Sequence, residues 1–87
     1  MDPPPLELFH RLAEPDSARA RLKVSGLALL ERVAFRNVEF ESHRAALAGH
    51  GGAETPALWD GATLHVGLAQ VETALEAAAA GESVDPR

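Results

Sequence analysis

Hydrophobic and polar positions change period several times along the 87 residues. Leu6-Glu7-Leu8-Phe9-His10 alternates, which predicts a strand with Leu6, Leu8 and His10 on one face and Glu7 and Phe9 on the other. An apolar Phe9 beside a charged Glu7 predicts that both faces of this strand are partly covered. Arg11 to Pro15 reads as a loop. From Pro15-Asp16-Ser17 to about Arg32 the pattern becomes helical. Pro suits the first helical turn, and Asp and Ser suit its cap and dipole. Ala20, Val24, Leu27 and Glu31 fall on one stripe, and Ala18, Leu22, Leu29 and Leu30 on a second. A helix apolar on two sides is expected to pack between layers. Ser25-Gly26 in its middle lowers helix propensity and points to close packing against a neighbour.

Val33 to Phe40, rich in β-branched and aromatic residues, predicts a second strand with Val38 and Phe40 on one face. Glu41 to Ala48 predicts a short helix, ended by Gly49-His50-Gly51-Gly52 where positive φ is tolerated. Ala57-Leu58-Trp59, then Asp60-Gly61, then Thr63-Leu64-His65-Val66 predicts a hairpin, with Asp-Gly as a type I′ turn signal. Leu68 to Ala80 predicts a last helix with Leu68, Val71 and Leu75 on one face, stopped by Gly81. The order is strand, helix, strand, helix, strand, strand, helix. A helical crossover makes the first two strands parallel, and the hairpin makes the last two antiparallel. The expectation is an α/β fold with a mixed four-stranded sheet and helices on both faces.

A chain this short holds one domain. Residues 1-5 contain Pro3-Pro4-Pro5, an extended lead-in; residues 6-80 form the domain; residues 81-87 read as a flexible tail. The hydrophobic fraction of 46% is too high for a disordered chain, and with three Phe, one Trp and no Tyr the core is expected to be light and aliphatic. A net charge of −5 speaks against nucleic acid, although Arg11, Arg19 and Arg21 cluster locally. No apolar run approaches the roughly 20 residues needed to cross a bilayer. The first residues lack the basic and apolar regions of a signal peptide, so the expected location is cytoplasmic. There is no cysteine.

The element order over Leu6 to Ala80 resembles the thioredoxin fold in its compact form, as in glutaredoxins and the N-terminal domain of glutathione transferases. Glu14-Pro15-Asp16-Ser17 stands in the frame of Cys-Pro-x-Cys, with Glu14 in place of the nucleophilic cysteine and Ser17 in place of the resolving one. Glu54-Thr55-Pro56-Ala57 is similar to the segment whose proline is cis and whose preceding residue offers backbone groups to a peptide or glutathione. Val66-Gly67-Leu68 opens the last helix where glutaredoxins carry Gly-Gly and an acid; here the second glycine and the acid are missing, and Gln70 stands near the acid's position. Arg11 falls where many glutaredoxins carry a basic residue that meets the glutathione carboxylate.

The resemblance implies a groove without its reactive group. Disulfide exchange needs a protein thiol to form the mixed disulfide, and this chain has none, so that activity is excluded. The first expectation is therefore a non-catalytic binding or scaffolding module whose groove is Arg11, Glu14, Ser17, Thr55, Pro56 and Gln70 and whose partner is a protein or peptide. The alternatives are a glutathione-binding or transferase-like protein in which Ser17 donates to the glutathione thiolate, and a structural or oligomerising domain. A Glu14 carboxylate repels that thiolate, and no helical domain follows to hold an electrophile. The plainer reading of Glu14 and Asp16 is first-turn acids that stabilise the helix, with Ser17 as part of the cap. His10, His43, His50 and His65 form no ligand cluster in sequence, so no metal is expected. A Ser17–His10 nucleophile pair is conceivable but lacks an orienting third group. His65 is expected to face solvent or cap an edge, and Trp59 to pack on the hairpin.

Overall fold

The first strand, β1 (Leu6–His10), lies at the middle of the sheet, and both its faces are covered, as its sequence predicts. The computed structural model describes residues 6–81; the Pro3-Pro4-Pro5 lead-in and the tail from Glu82 lie outside them. The remaining elements are α1 (Pro15–Gly26), β2 (Val33–Asn37), α2 (Glu41–Gly49), β3 (Ala57–Trp59), β4 (Leu64–Val66) and α3 (Leu68–Ala80). The strands form one mixed sheet in the order β2-β1-β3-β4. β1 runs parallel to β2 with Leu8 opposite Phe35, and antiparallel to β3 with Leu8 opposite Leu58. β4 closes the edge with His65 opposite Leu58.

The period-2 rule sorts the sheet into two cores. Leu6 and Leu8 face α1 and α3, where they pack with Ala20, Val24, Leu58, Val71 and Leu75. Phe9 faces the other way and packs with Val38, Leu47 and Ala57 under α2. Burying each Leu, Val or Phe contributes about 1.5–3 kcal/mol before the entropy of ordering the chain is subtracted. The core is aliphatic apart from Phe9, as the composition implies.

Two element ends and one turn type differ from the sequence expectation, each for a physical reason. The first helix stops at Gly26 rather than near Arg32. Ala28 takes φ 59°, its N–H donates to Ser25 O at 3.0 Å, and Leu29 N–H donates to Val24 O at 2.9 Å. This is a Schellman closure with alanine in the left-handed position, and Leu29 joins Val24 in the same core cluster, the apolar contact that often accompanies this motif. The second stripe is therefore not one packed face: the closure buries Leu29, while Leu22 is 71% exposed and Leu30 55%.

The second strand ends at Asn37. Asn37 Oδ1 accepts from Glu39 N–H at 2.9 Å, an Asx turn that bends the chain away. Val38 is still buried, but Phe40 is exposed and precedes α2 instead of sharing a strand face.

The hairpin is built on Asp60 but is not type I′. Asp60 N–H donates to Thr63 O at 3.2 Å, so Gly61 and Ala62 are the turn centre. Gly61 has φ 98° and Ala62 is not in the positive region, the sign pattern of a type II′ turn. Asp60 Oδ1 also accepts from the N–H groups of Ala62 and Thr63, at 2.9 and 2.7 Å.

Candidate functional site

The site forms where β1 ends and α1 begins, against the loop that enters β3. Pro15 opens α1, and its missing N–H costs nothing in a first turn whose N–H groups have no helical partner. Glu14 is the N-cap residue with extended backbone (φ −95°, ψ 123°), and its side chain caps no helical N–H. Freed from that role, its carboxylate turns toward the β3 loop. Glu14 Oε1 accepts from the Thr55 hydroxyl at 2.7 Å. The same oxygen accepts from the Ser17 hydroxyl, whose Oγ in turn accepts the Arg11 N–H at 3.1 Å. Four residues thus form one chain: Arg11 N–H to Ser17, Ser17 to Glu14, and Thr55 to Glu14.

Thr55 precedes a cis peptide bond to Pro56. Pro56 is buried, and its carbonyl accepts from Gly67 N–H at 2.9 Å, which ties the loop to the start of α3. Among the described residues, the backbone N–H and C=O groups of Ala53, Glu54 and Thr55 bond to no other backbone group. Arg11, Glu14, Ala53, Glu54 and Thr55 line a shallow depression of about 320 Å³.

Of the six residues expected here, the structure brings five together and leaves one apart. Arg11, Glu14 and Thr55 line the depression, with Ser17 and Pro56 buried behind them. Gln70 is exposed on α3 and lines a different depression of about 370 Å³ with His65, Ala69 and Thr73. Ser17 is fully buried and is no helix cap, which corrects that expectation. Its one proton is committed to Glu14, so it has none for an external thiolate while that bond stands. Nor does it pair with His10. The His10 ring bonds Arg21 Nη1 through Nδ1 at 3.1 Å instead.

That His10–Arg21 pair is what sequence reasoning missed beside the site. His10 is buried at 4% exposure, and Arg21 Nη1 also donates to the Arg11 carbonyl at 3.2 Å. Desolvation and the nearby Arg21 charge hold the His10 imidazole below its ordinary pKa, with a further push from His43. The available signal was Arg21 standing four residues after Ser17, on the same side of α1.

The other aromatic and histidine contacts are structural. His65 Nε2 bonds Asp60 Oδ2 at 2.8 Å and braces the hairpin. Trp59 stacks on His50 with ring centroids 3.9 Å apart and planes 13° from parallel. Among the described residues no three His, Asp or Glu side chains gather as a metal ion would need. Among them too, no helix is long and apolar enough to cross a membrane. No protein-family model, curated protein or solved structure matches this chain.

Proposed function

We propose that this chain is a thioredoxin-like domain of the glutaredoxin type that performs no thiol chemistry and holds an extended peptide segment of a partner protein at the Arg11–Glu14–Thr55 depression. The carrying observation is the Glu14–Thr55 hydrogen bond, 2.7 Å long, beside the cis peptide at Pro56. It locks a carboxylate where the resembling enzymes carry their thiolate, and it stiffens the loop next to that group. The strand order β2-β1-β3-β4, with one parallel and two antiparallel pairings, supports the same reading. An extended peptide is favoured as the ligand because the backbone groups of Ala53 to Thr55 are free to pair with one. Glutathione is disfavoured, since Glu14 repels its thiolate and Ser17 has no proton to spare.

The test is selection from a library of random linear peptides, followed by NMR titration of the best binder into isotope-labelled protein. Shifts centred on Arg11, Glu14 and Thr55, with binding weakened by Thr55→Val, are expected. Binders that shift only residues elsewhere, or an unchanged affinity in Thr55→Val, would overturn the reading. Millimolar glutathione run in parallel is expected to move none of these signals.

A further inference from the structure

The His10 ring ends β1 on the α1/α3 face of the sheet and is nearly sealed from water. Several charged or titratable groups face it. From α1 comes the Arg21 guanidinium, bonded to Nδ1 at 3.1 Å. From α2 comes His43, and from the turn before α2 comes Glu39, the one group that favours the charged ring. From β2 the ring meets Phe35 edge-on, with centroids 5.8 Å apart. Among the described residues, no carboxylate lies within ion-pair distance of either the His10 ring or Arg21.

The hydrogen-bond chemistry of the pair has one solution. A guanidinium only donates, so Nδ1 of His10 accepts and the neutral ring carries its proton on Nε2. Protonation would put an N–H on Nδ1, aimed at an N–H of Arg21 about 3 Å away, with a positive charge on each side. That contact cannot persist, and the guanidinium is the partner that reaches solvent, being half-buried on a long side chain. The same Nη1 donates to the Arg11 carbonyl at 3.2 Å. The remaining hold on that carbonyl is the Glu14 N–H at 3.4 Å, a long bond.

We propose that His10 is an acid-sensitive latch on the loop between β1 and α1: protonating its ring expels Arg21, frees the Arg11 carbonyl and loosens the segment that carries Arg11 and Glu14. The latch acts whatever the depression binds. Its consequence, release of a bound segment in acid, rests on the function proposed above.

The test is a pH titration by NMR of the full chain with no ligand present. It follows the His10 ring carbons and the amide protons of Arg11 and Ser17. The expected result has three parts. The ring titrates below the ordinary imidazole value of about 6.5. The Arg11 amide, which donates to Ser17, moves with the same midpoint. Its protection against hydrogen exchange, corrected for intrinsic rates, falls by about tenfold or more below that midpoint while protection at Leu8 is kept. Arg21→Gln removes the opposing charge and is expected to raise the His10 midpoint; His10→Gln is expected to abolish the step at Arg11. A His10 ring that titrates at the ordinary value, or an Arg11 amide that ignores the ring's titration, would overturn the latch. So would an unchanged His10 midpoint in Arg21→Gln, which keeps the test decisive if His10→Gln does not fold. Because no ligand is used, failure here is distinct from failure of peptide binding.

Discussion

Glu14 and Thr55 are separated by 41 positions in the chain, yet one carboxylate oxygen of Glu14 accepts a hydrogen bond from the Thr55 hydroxyl at 2.7 Å. This bond joins the start of α1 to the loop before β3, two segments with no strand pairing between them. A hydrogen bond to a charged acceptor contributes about 1.5–3 kcal/mol, less where water reaches it, and both residues here are half-buried. Thr55→Val is therefore expected to lower unfolding free energy by about 1–2 kcal/mol in urea titration. The Glu14→Gln and Thr55→Val pair should be non-additive in a double-mutant cycle. Additive losses would mean that the bond carries no energy of its own.

Ala28 offers a change in the other direction. It occupies the left-handed position that closes α1, at φ 59°. An alanine there crowds its Cβ against the following carbonyl, and glycine does not. Ala28→Gly is expected to stabilise the protein by about 0.5–1 kcal/mol, the strain relieved less the extra freedom of an unfolded glycine. A higher melting temperature with unchanged circular dichroism is the result to look for. A loss of stability would refute the closure described.

Gly52 is constrained by space. A Cβ built there would lie 2.5 Å from Leu64 Cδ2 and 2.9 Å from Leu47 Cδ1. Leu47 is buried in the α2-side core, so it has little room to withdraw. Gly52→Ala is expected to destabilise by about 1–3 kcal/mol through overpacking. Gly26→Ala meets nothing within 4 Å and serves as the control. Equal effects from the two substitutions would contradict this packing.

Stability should depend on pH in two separate steps. His10 has its pKa lowered in the folded state by burial and by Arg21. The unfolded chain therefore binds this proton more readily, and stability falls as pH drops below about 6.5 toward the folded value. Asp60 is the opposite type of group with the same sign of effect. Burial disfavours its charge, but hydrogen bonds from His65 and from the N–H groups of Thr63 and Ala62 outweigh that and hold its pKa below the ordinary range. Its contribution is present above about 3.9 and is lost as pH falls through the folded value. Melting temperature against pH should lose the first step in His10→Gln and the second in Asp60→Asn. A profile flat from neutral to pH 5 would contradict the first assignment.

The strand and helix order was legible because its signals are local. The Leu6–His10 alternation, the Gly49–Gly52 cluster and Gly81 each mark an element or its end by side-chain period or glycine alone. The end of α1 was not legible, since an alanine carries no mark that it will adopt positive φ. Leu27 and Leu29 continue a helical spacing that the backbone abandons. The hairpin was legible as a hairpin, but Asp60-Gly61 fits two turn types, and Asp60's hydrogen bonds to Ala62 and Thr63 accompany the choice. At the site, Arg11, Glu14, Ser17, Thr55 and Pro56 converge because two loops meet beside β1. Gln70 does not join them because its position in the first turn of α3 presents it beside His65. The His10–Arg21 pair was hidden by chemistry, since a cation bonded to a neutral imidazole follows no charge-pairing rule.

The stacked rings of His50 and Trp59 give this protein its own light source. Trp59 is its only tryptophan, and there is no tyrosine to compete with it. The indole lies flat against the His50 imidazole from the end of α2. Emission thus comes from a single point, the seam between α2 and the hairpin. Its colour and intensity follow the closing of that seam with no attached dye.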